Sequence, residues 1–272
     1  MSAPDGGVPE GSDPDGSGPE DSGPEESGPE GSEPEDNARK DRPPKDRPPK
    51  DSARAHAHVA LIALTAGTAS LDVTAFFRLG GVFASVMTSN LVFVGVAVVK
   101  TEAAFGARCA VAILSYIVGV GLGSAIAPPS GHENRLGTRP LSLLLTGELA
   151  LLVAYTIWWM ALDARPAGWT RLALLGVIAL AMGSQSAATR QLGNPSAGTT
   201  YLTGTLTSVV SSLAGRRRPD AESVAVIIAL LAGAGAGAAL IDVAPITVPL
   251  LALAGVGTTV ALSWHFSSTH PH

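Results

Sequence analysis

Eight apolar stretches follow one another along the chain, at about 58–78, 82–99, 105–127, 140–162, 170–190, 199–214, 222–242 and 245–265. Six come close to the ~20 residues that a helix needs to cross a bilayer. The pattern predicts an all-α polytopic membrane protein with six to eight hydrophobic segments. The second and sixth stretches are shorter and carry polar residues. VFASVMTSNLVFVGVAVV holds Ser85, Thr88, Ser89 and Asn90 in its first half, and TTYLTGTLTSVVSSLA has Thr or Ser at half of its positions. Two readings fit them: buried spanning helices, or half-helices that enter and leave on one side, where surrounding protein satisfies irregular backbone.

Ahead of these stretches the pattern disappears. Residues 1–57 contain no run of four apolar residues, and proline recurs every five positions from Pro4 to Pro34 among Asp, Glu, Gly and Ser. Proline removes backbone donors, the carboxylates repel one another, and no apolar side chain offsets the ordering entropy, so this arm is expected to be disordered. It holds 15 of the 23 acidic residues and 7 of the 18 basic ones, leaving 8 acids and 11 bases for the other 215 residues. That is too little charge to solvate a water-soluble domain, which excludes a soluble enzyme. The net charge of −5 is the sum of −8 in the arm and +3 beyond it, and neither value suggests nucleic-acid binding. The expected organisation is the arm at 1–57, a helical transmembrane domain at 58–266 and a short tail at 267–272.

Charge also bears on orientation. Arg39, Lys40, Arg42, Lys45, Lys50 and Arg54 lead up to the first apolar stretch. Juxtamembrane bases of this kind stay in the cytoplasm and rest on anionic lipid. The N-terminus is therefore expected inside, with the first segment as an uncleaved anchor, since no signal-peptide pattern precedes it. If all eight stretches span, the inner loops carry seven bases and the outer loops four; if the two polar ones only re-enter, the split is six to five. The count favours eight spans, and either arrangement returns the C-terminus to the cytoplasm.

Two regions about 115 residues apart look alike. Gly67 matches Gly183, Leu79-Gly80 matches Leu192-Gly193, and Thr88-Ser89-Asn90-Leu91 matches Thr203-Gly204-Thr205-Leu206, giving repeat copies that start near residues 66 and 182. Duplication of this sort is common in transporters, which build a site between the repeats from interrupted helices. The same residues resemble a family. Gly67, Asp72, Leu79-Gly80 and Met87-Thr-Ser-Asn-Leu91, followed by Ala181-Met182-Gly183-x-Gln185 and Thr200-Tyr201-Leu202-Thr203-Gly204-Thr205, look like the YoaK family of bacterial integral membrane proteins over about residues 58–265. Ser89 and Ser186 depart from the pattern, where Gly and Asn are expected. The resemblance implies a polytopic inner-membrane protein and supplies no substrate.

Candidate site residues follow from polar groups at membrane depth. Asp72 lies six residues, roughly 9 Å, inside the end of its segment. A bare carboxylate there costs about 2.5–3.5 kcal/mol on insertion scales and must be paired, protonated or wet. It reads as a proton relay or cation contact, or as a hydrogen-bonded structural group. Glu148 in the fourth segment faces the same cost. Asn90 and Gln185 offer donors and acceptors in the two copies, which suits a polar solute. Thr203 and Thr205 lie on the sixth segment, where Thr199, Thr203 and Thr207 make a stripe at spacing four, read first as helix packing and second as a pore lining. Gly119 with Gly123, and Gly233 with Gly237, read as packing pairs.

Every histidine lies at a segment end, in a loop or in the tail, so no serine–histidine dyad or intramembrane zinc site is expected. No cofactor and no enzymatic activity are expected, and no ATP-binding motif is present. The expected partners are the lipid bilayer and an unidentified small solute, with a homo-oligomer left open. The leading functional expectation is a small-solute transporter or permease; the alternative is a sensor or assembly partner whose polar segments serve packing.

Overall fold

The computed structural model describes residues 50–127, 138–191, 202–216 and 218–269, with side chains within 55–127, 138–190, 202–216 and 218–265. The expected disordered arm up to residue 49, Thr199, Thr200 and the end of the tail lie outside the described residues. The elements are α1 (Lys50–Arg78), α2 (Met87–Val99), α3 (Ala103–Ile126), α4 (Arg139–Ala161), α5 (Gly168–Gln191), α6 (Leu202–Ala214), α7 (Ala221–Val243), a 3-10 turn at Pro245–Thr247, and α8 (Pro249–Thr269). α1 starts at Lys50, ahead of the boundary expected at residue 58.

Among the described residues six helices are long and apolar enough to cross a membrane: Ala55–Arg78, Ala103–Ile126, Arg139–Ala161, Gly168–Arg190, Ala221–Val243 and Pro245–His265. α2 and α6 have 13 residues each. At 1.5 Å per residue that is about 20 Å of helix, against a hydrocarbon core of about 30 Å. Loop charge favours eight spans; by length, the described residues hold six helices of spanning length and two half-length ones, within the six to eight segments expected. Part of the second apolar stretch is not helix: residues 79–86 form a linker, because Gly80 and Gly81 take φ of 117° and 79°, values that suit glycine.

α1 and α5 form the buried centre, with 67% of an 18-residue apolar window of each buried, against 22% in α3 and 28% in α7. α1 packs on α7 and α8, α5 packs on α3 and α4, α4 also meets α8, and the half-helices lie on their successors, α2 on α3 and α6 on α7. The central pairs approach through glycine, as the small-residue spacing predicts. A Cβ on Gly119 would stand 2.1 Å from the Leu180 carbonyl oxygen, and one on Gly233 would stand 2.2 Å from that of Ala66. The outward faces carry exposed Leu114, Ile117, Ile228 and Leu231, as bilayer contact requires.

α7 begins with a side-chain cap. Asp220 accepts from the Ser223 backbone N–H and hydroxyl, each at 3.0 Å, and this hydrogen bonding holds its carboxyl below the usual range. A carboxyl lowered in the folded state stabilises above its ordinary titration range, and the contribution disappears as pH falls through the lowered value. Asp220→Ala is expected to cost about 1 kcal/mol, read as a lower thermal midpoint of purified protein at neutral pH. The difference from wild type should shrink in acid.

Candidate functional site

The linker between α1 and α2 is where the first two candidate residues meet. Asp72, one turn and a half before the end of α1, accepts from the backbone N–H groups of Ala84 and Ser85 at 2.8 Å each through Oδ1. Its Oδ2 accepts from the Ser85 hydroxyl. Asn90, fully buried on α2, donates to the Phe83 carbonyl at 2.7 Å and accepts from the Phe83 N–H at 3.0 Å. These bonds replace the helical partners that residues 83–85 lack, so an irregular segment persists at membrane depth. Aromatic stacking ties it down further, with ring centroids 5.3 Å apart for Phe76 and Phe83, 6.3 Å for Phe83 and Phe93, and 5.6 Å for Phe93 and Phe105.

Four residues before Asp72 on α1, the Thr68 hydroxyl donates to Gln185 Oε1 on α5 at 2.9 Å, and both side chains are buried. This bond joins the two central helices. The next residue of α5, Ser186, shares a 2.6 Å hydroxyl–hydroxyl hydrogen bond with Tyr116 of α3.

Glu148 is placed differently. It is 1% exposed on the inner face of α4, and neither carboxyl oxygen has a hydrogen-bond partner. It lines a cavity of about 130 Å³ between α3, α4 and α5, with leucines, glycines and Ser184 around it. Two turns further on the same face, the buried Tyr155 hydroxyl is likewise without a partner, while its ring stacks on Trp159 at 5.9 Å.

On α6, Thr205 is buried whereas Thr203 and Thr207 are exposed, and the Thr207 hydroxyl bonds back to the Thr203 carbonyl at 2.8 Å. The described part of the threonine stripe therefore does not pack against a neighbouring helix. Asp72 and Asn90 thus act on one linker, and Gln185 reaches the same helix as Asp72. Glu148 sits in a separate cavity, although Ser184 beside Gln185 also lines it. Among the described residues no group of three or more His, Cys, Asp or Glu side chains is placed to hold a metal ion.

Sequence reasoning missed Thr68, Tyr155 and a second cavity of about 370 Å³ lined by Arg78, Arg165 and Arg171. Tyr155 carried a usable signal, since seven residues after Glu148 it falls on the same helix face. Arg78 lies far along the chain from Arg165 and Arg171, and only the fold brings it to them.

The family model described as "Protein of unknown function (DUF1275)" matches residues 60–263, about three quarters of the chain. The chain belongs to the DUF1275 family. The DUF1275 chain is also similar to the UPF0700 transmembrane protein YoaK of Bacillus subtilis (strain 168), with 29% identity over 158 residues, 58% of this chain and 67% of that protein. The resemblance read from Gly67, Asp72, Met87–Leu91 and Thr200–Thr205 is borne out by both matches. No solved structure matches. With six helices of spanning length and this relative, the DUF1275 chain is an integral membrane protein.

Proposed function

We propose that this DUF1275 chain is a small-solute transporter or permease of the cytoplasmic membrane, with a polar site between two internal repeats and no catalytic chemistry of its own. The observation that carries the reading is the exchange of packing partners between the halves. Each half runs long helix, half-length helix, long helix, long helix, as α1–α4 and then α5–α8. The first helix of each half packs on the third and fourth of the other, α1 on α7 and α8, α5 on α3 and α4. Three crossings per half bring the second half into the membrane from the opposite side, so the repeats are inverted. Transporters of that design bind their solute near the midplane, beside interrupted helices. The Thr68–Gln185 bond between the two first helices supports a polar centre there.

Both termini are read as cytoplasmic from the basic block at 39–54. With six crossings, reporters fused after residues 56, 190 and 270 are all expected to give an internal signal. An external signal after Arg190 would restore eight crossings, and one at either other position would overturn the orientation.

A second reading, a sensor or assembly partner, is favoured by one observation: Asp72 and Asn90 spend their polar atoms on the linker. Flux in proteoliposomes separates the two. Solutes that raise thermal stability of the purified protein are the ones to test, and a solute that binds without crossing supports the sensor.

A further inference from the structure

The least compensated polar group described in the molecule is the Glu148 carboxyl. Asp72, 7% exposed, accepts hydrogen bonds on both oxygens, whereas Glu148, 1% exposed, accepts none. A partnerless carboxylate is not tolerated in such surroundings, so the group is neutral when nothing faces it and ionised when a cation does. The cavity it lines holds no basic side chain among the described residues, and its one other polar side chain, Ser184, donates its hydroxyl to the Ala181 carbonyl of its own helix.

The shape of the cavity narrows the ligand class. An inorganic cation needs several oxygen ligands, and this lining offers one carboxyl and one hydroxyl oxygen within an apolar wall. That wall suits an apolar body instead. Leu122, Ile126 and Leu143 line the cavity and are 53%, 49% and 59% exposed, so its mouth opens on the surface that meets lipid. Three glycines border it, and they are not equivalent. A Cβ on Gly119 or Gly123 would meet α5 at 2.1 or 2.7 Å, so these two serve helix contact; a Cβ on Gly147 would meet nothing within 4 Å. Gly147 leaves open space directly beside the carboxyl in sequence and on the lipid side.

We propose that the Glu148 groove is a bilayer-facing site for a lipophilic monovalent organic cation, bound in exchange for the carboxyl proton. On binding, the O–H bond of Glu148 breaks, the proton leaves to solvent, and the carboxylate pairs with the charge of the ligand, so the net charge of the site is unchanged. This rests on the transporter reading and names the substrate class for it, but binding is measurable without any gradient.

The test uses full-length protein in zwitterionic lipid nanodiscs, titrated calorimetrically with hexyltrimethylammonium, with empty nanodiscs subtracted. Buffers of different ionisation enthalpy report the proton. Wild type is expected to bind saturably, to release about one proton per protein and to bind more tightly as pH rises. Glu148→Gln should lose the proton release and about tenfold or more in affinity. Gly147→Leu keeps the carboxyl but fills the groove, and should weaken binding by a similar factor. The uncharged tert-butyl carbon isostere of the probe should not compete. No saturable binding by wild type, undiminished binding by Glu148→Gln, or equal competition by the isostere would each overturn the site. If Glu148→Gln does not accumulate, Gly147→Leu decides, since undiminished binding there also rejects the groove. Retained binding with no flux of the probe would sink the transporter reading and leave the site standing.

Discussion

Gly183→Ala is expected to abolish accumulation of folded protein, although it adds a single methyl group. The Cβ would stand 2.2 Å from the Tyr116 carbonyl oxygen and 2.9 Å from the Val120 nitrogen, and both are backbone atoms of α3. A side chain can swing away from such a clash, but a helix backbone cannot, so α3 and α5 must separate. Overpacking commonly costs about 1–3 kcal/mol and more where nothing can yield. Here the separation also strains the Tyr116–Ser186 bond and the approach of Gly119 to Leu180 from the other side. Gly121→Ala is the control, because its Cβ would meet nothing within 4 Å on the same helix pair. Fluorescence-detected gel filtration of both variants checks the expectation: a monodisperse Gly121→Ala peak beside a lost Gly183→Ala peak. Equal peaks would mean that α3 and α5 are not so closely apposed.

The six long helices were legible in the sequence because burial in lipid demands an apolar run of fixed length, and composition reports that directly. The half-helices were legible only as one of two readings. Val82, Phe83 and Ala84 are as apolar as any helix, so residues 82–86 merge into the stretch that follows, and it takes the turn at Gly80 and Gly81 with bonds from Asp72 and Asn90 to hold them out of it. Counting loop charge could not resolve this, since seven against four and six against five differ by the placement of a few bases. The small-residue spacings at Gly119 and Gly233 were read correctly as packing, for a reason that sequence carries well: a glycine at a helix interface lets backbones touch.

The candidate site was legible in part for a different reason. Asp72, Glu148 and Gln185 stand out because a polar group in a membrane helix is costly wherever it points. What each does about that cost is decided by neighbours from distant positions, Ser85 for one and Thr68 for another. Thr68 could not be singled out. Thr65, Thr74 and Thr156 bond the carbonyl four residues back on their own helix, the usual way for a threonine to hide its hydroxyl, and Thr68 differs from them only in having α5 beside it.

Asp72 gives the second large effect, and the direction depends on which atom is removed. Asp72→Asn keeps Oδ1, so the N–H groups of Ala84 and Ser85 retain their acceptor, and the Ser85 hydroxyl can turn to accept from the new amide. Near-normal yield is expected, with thermal stability lower by about 1 kcal/mol. Asp72→Leu fits the space but leaves two buried backbone donors and a hydroxyl unpaired, each costing about 1–3 kcal/mol. The linker, the α2 start that Asn90 pins and the phenylalanine stack are then expected to come loose together, with little folded protein recovered. Expression level and thermal midpoint of both variants separate this anchoring role from a proton relay. A relay predicts that Asn, folded and stable, loses pH-dependent uptake of any transported solute; an anchor predicts that uptake and its pH profile survive in Asn and that only Leu is damaging. Normal yield of Asp72→Leu would remove the anchoring role, because no folded arrangement of residues 83–85 at that depth tolerates three orphaned donors without cost.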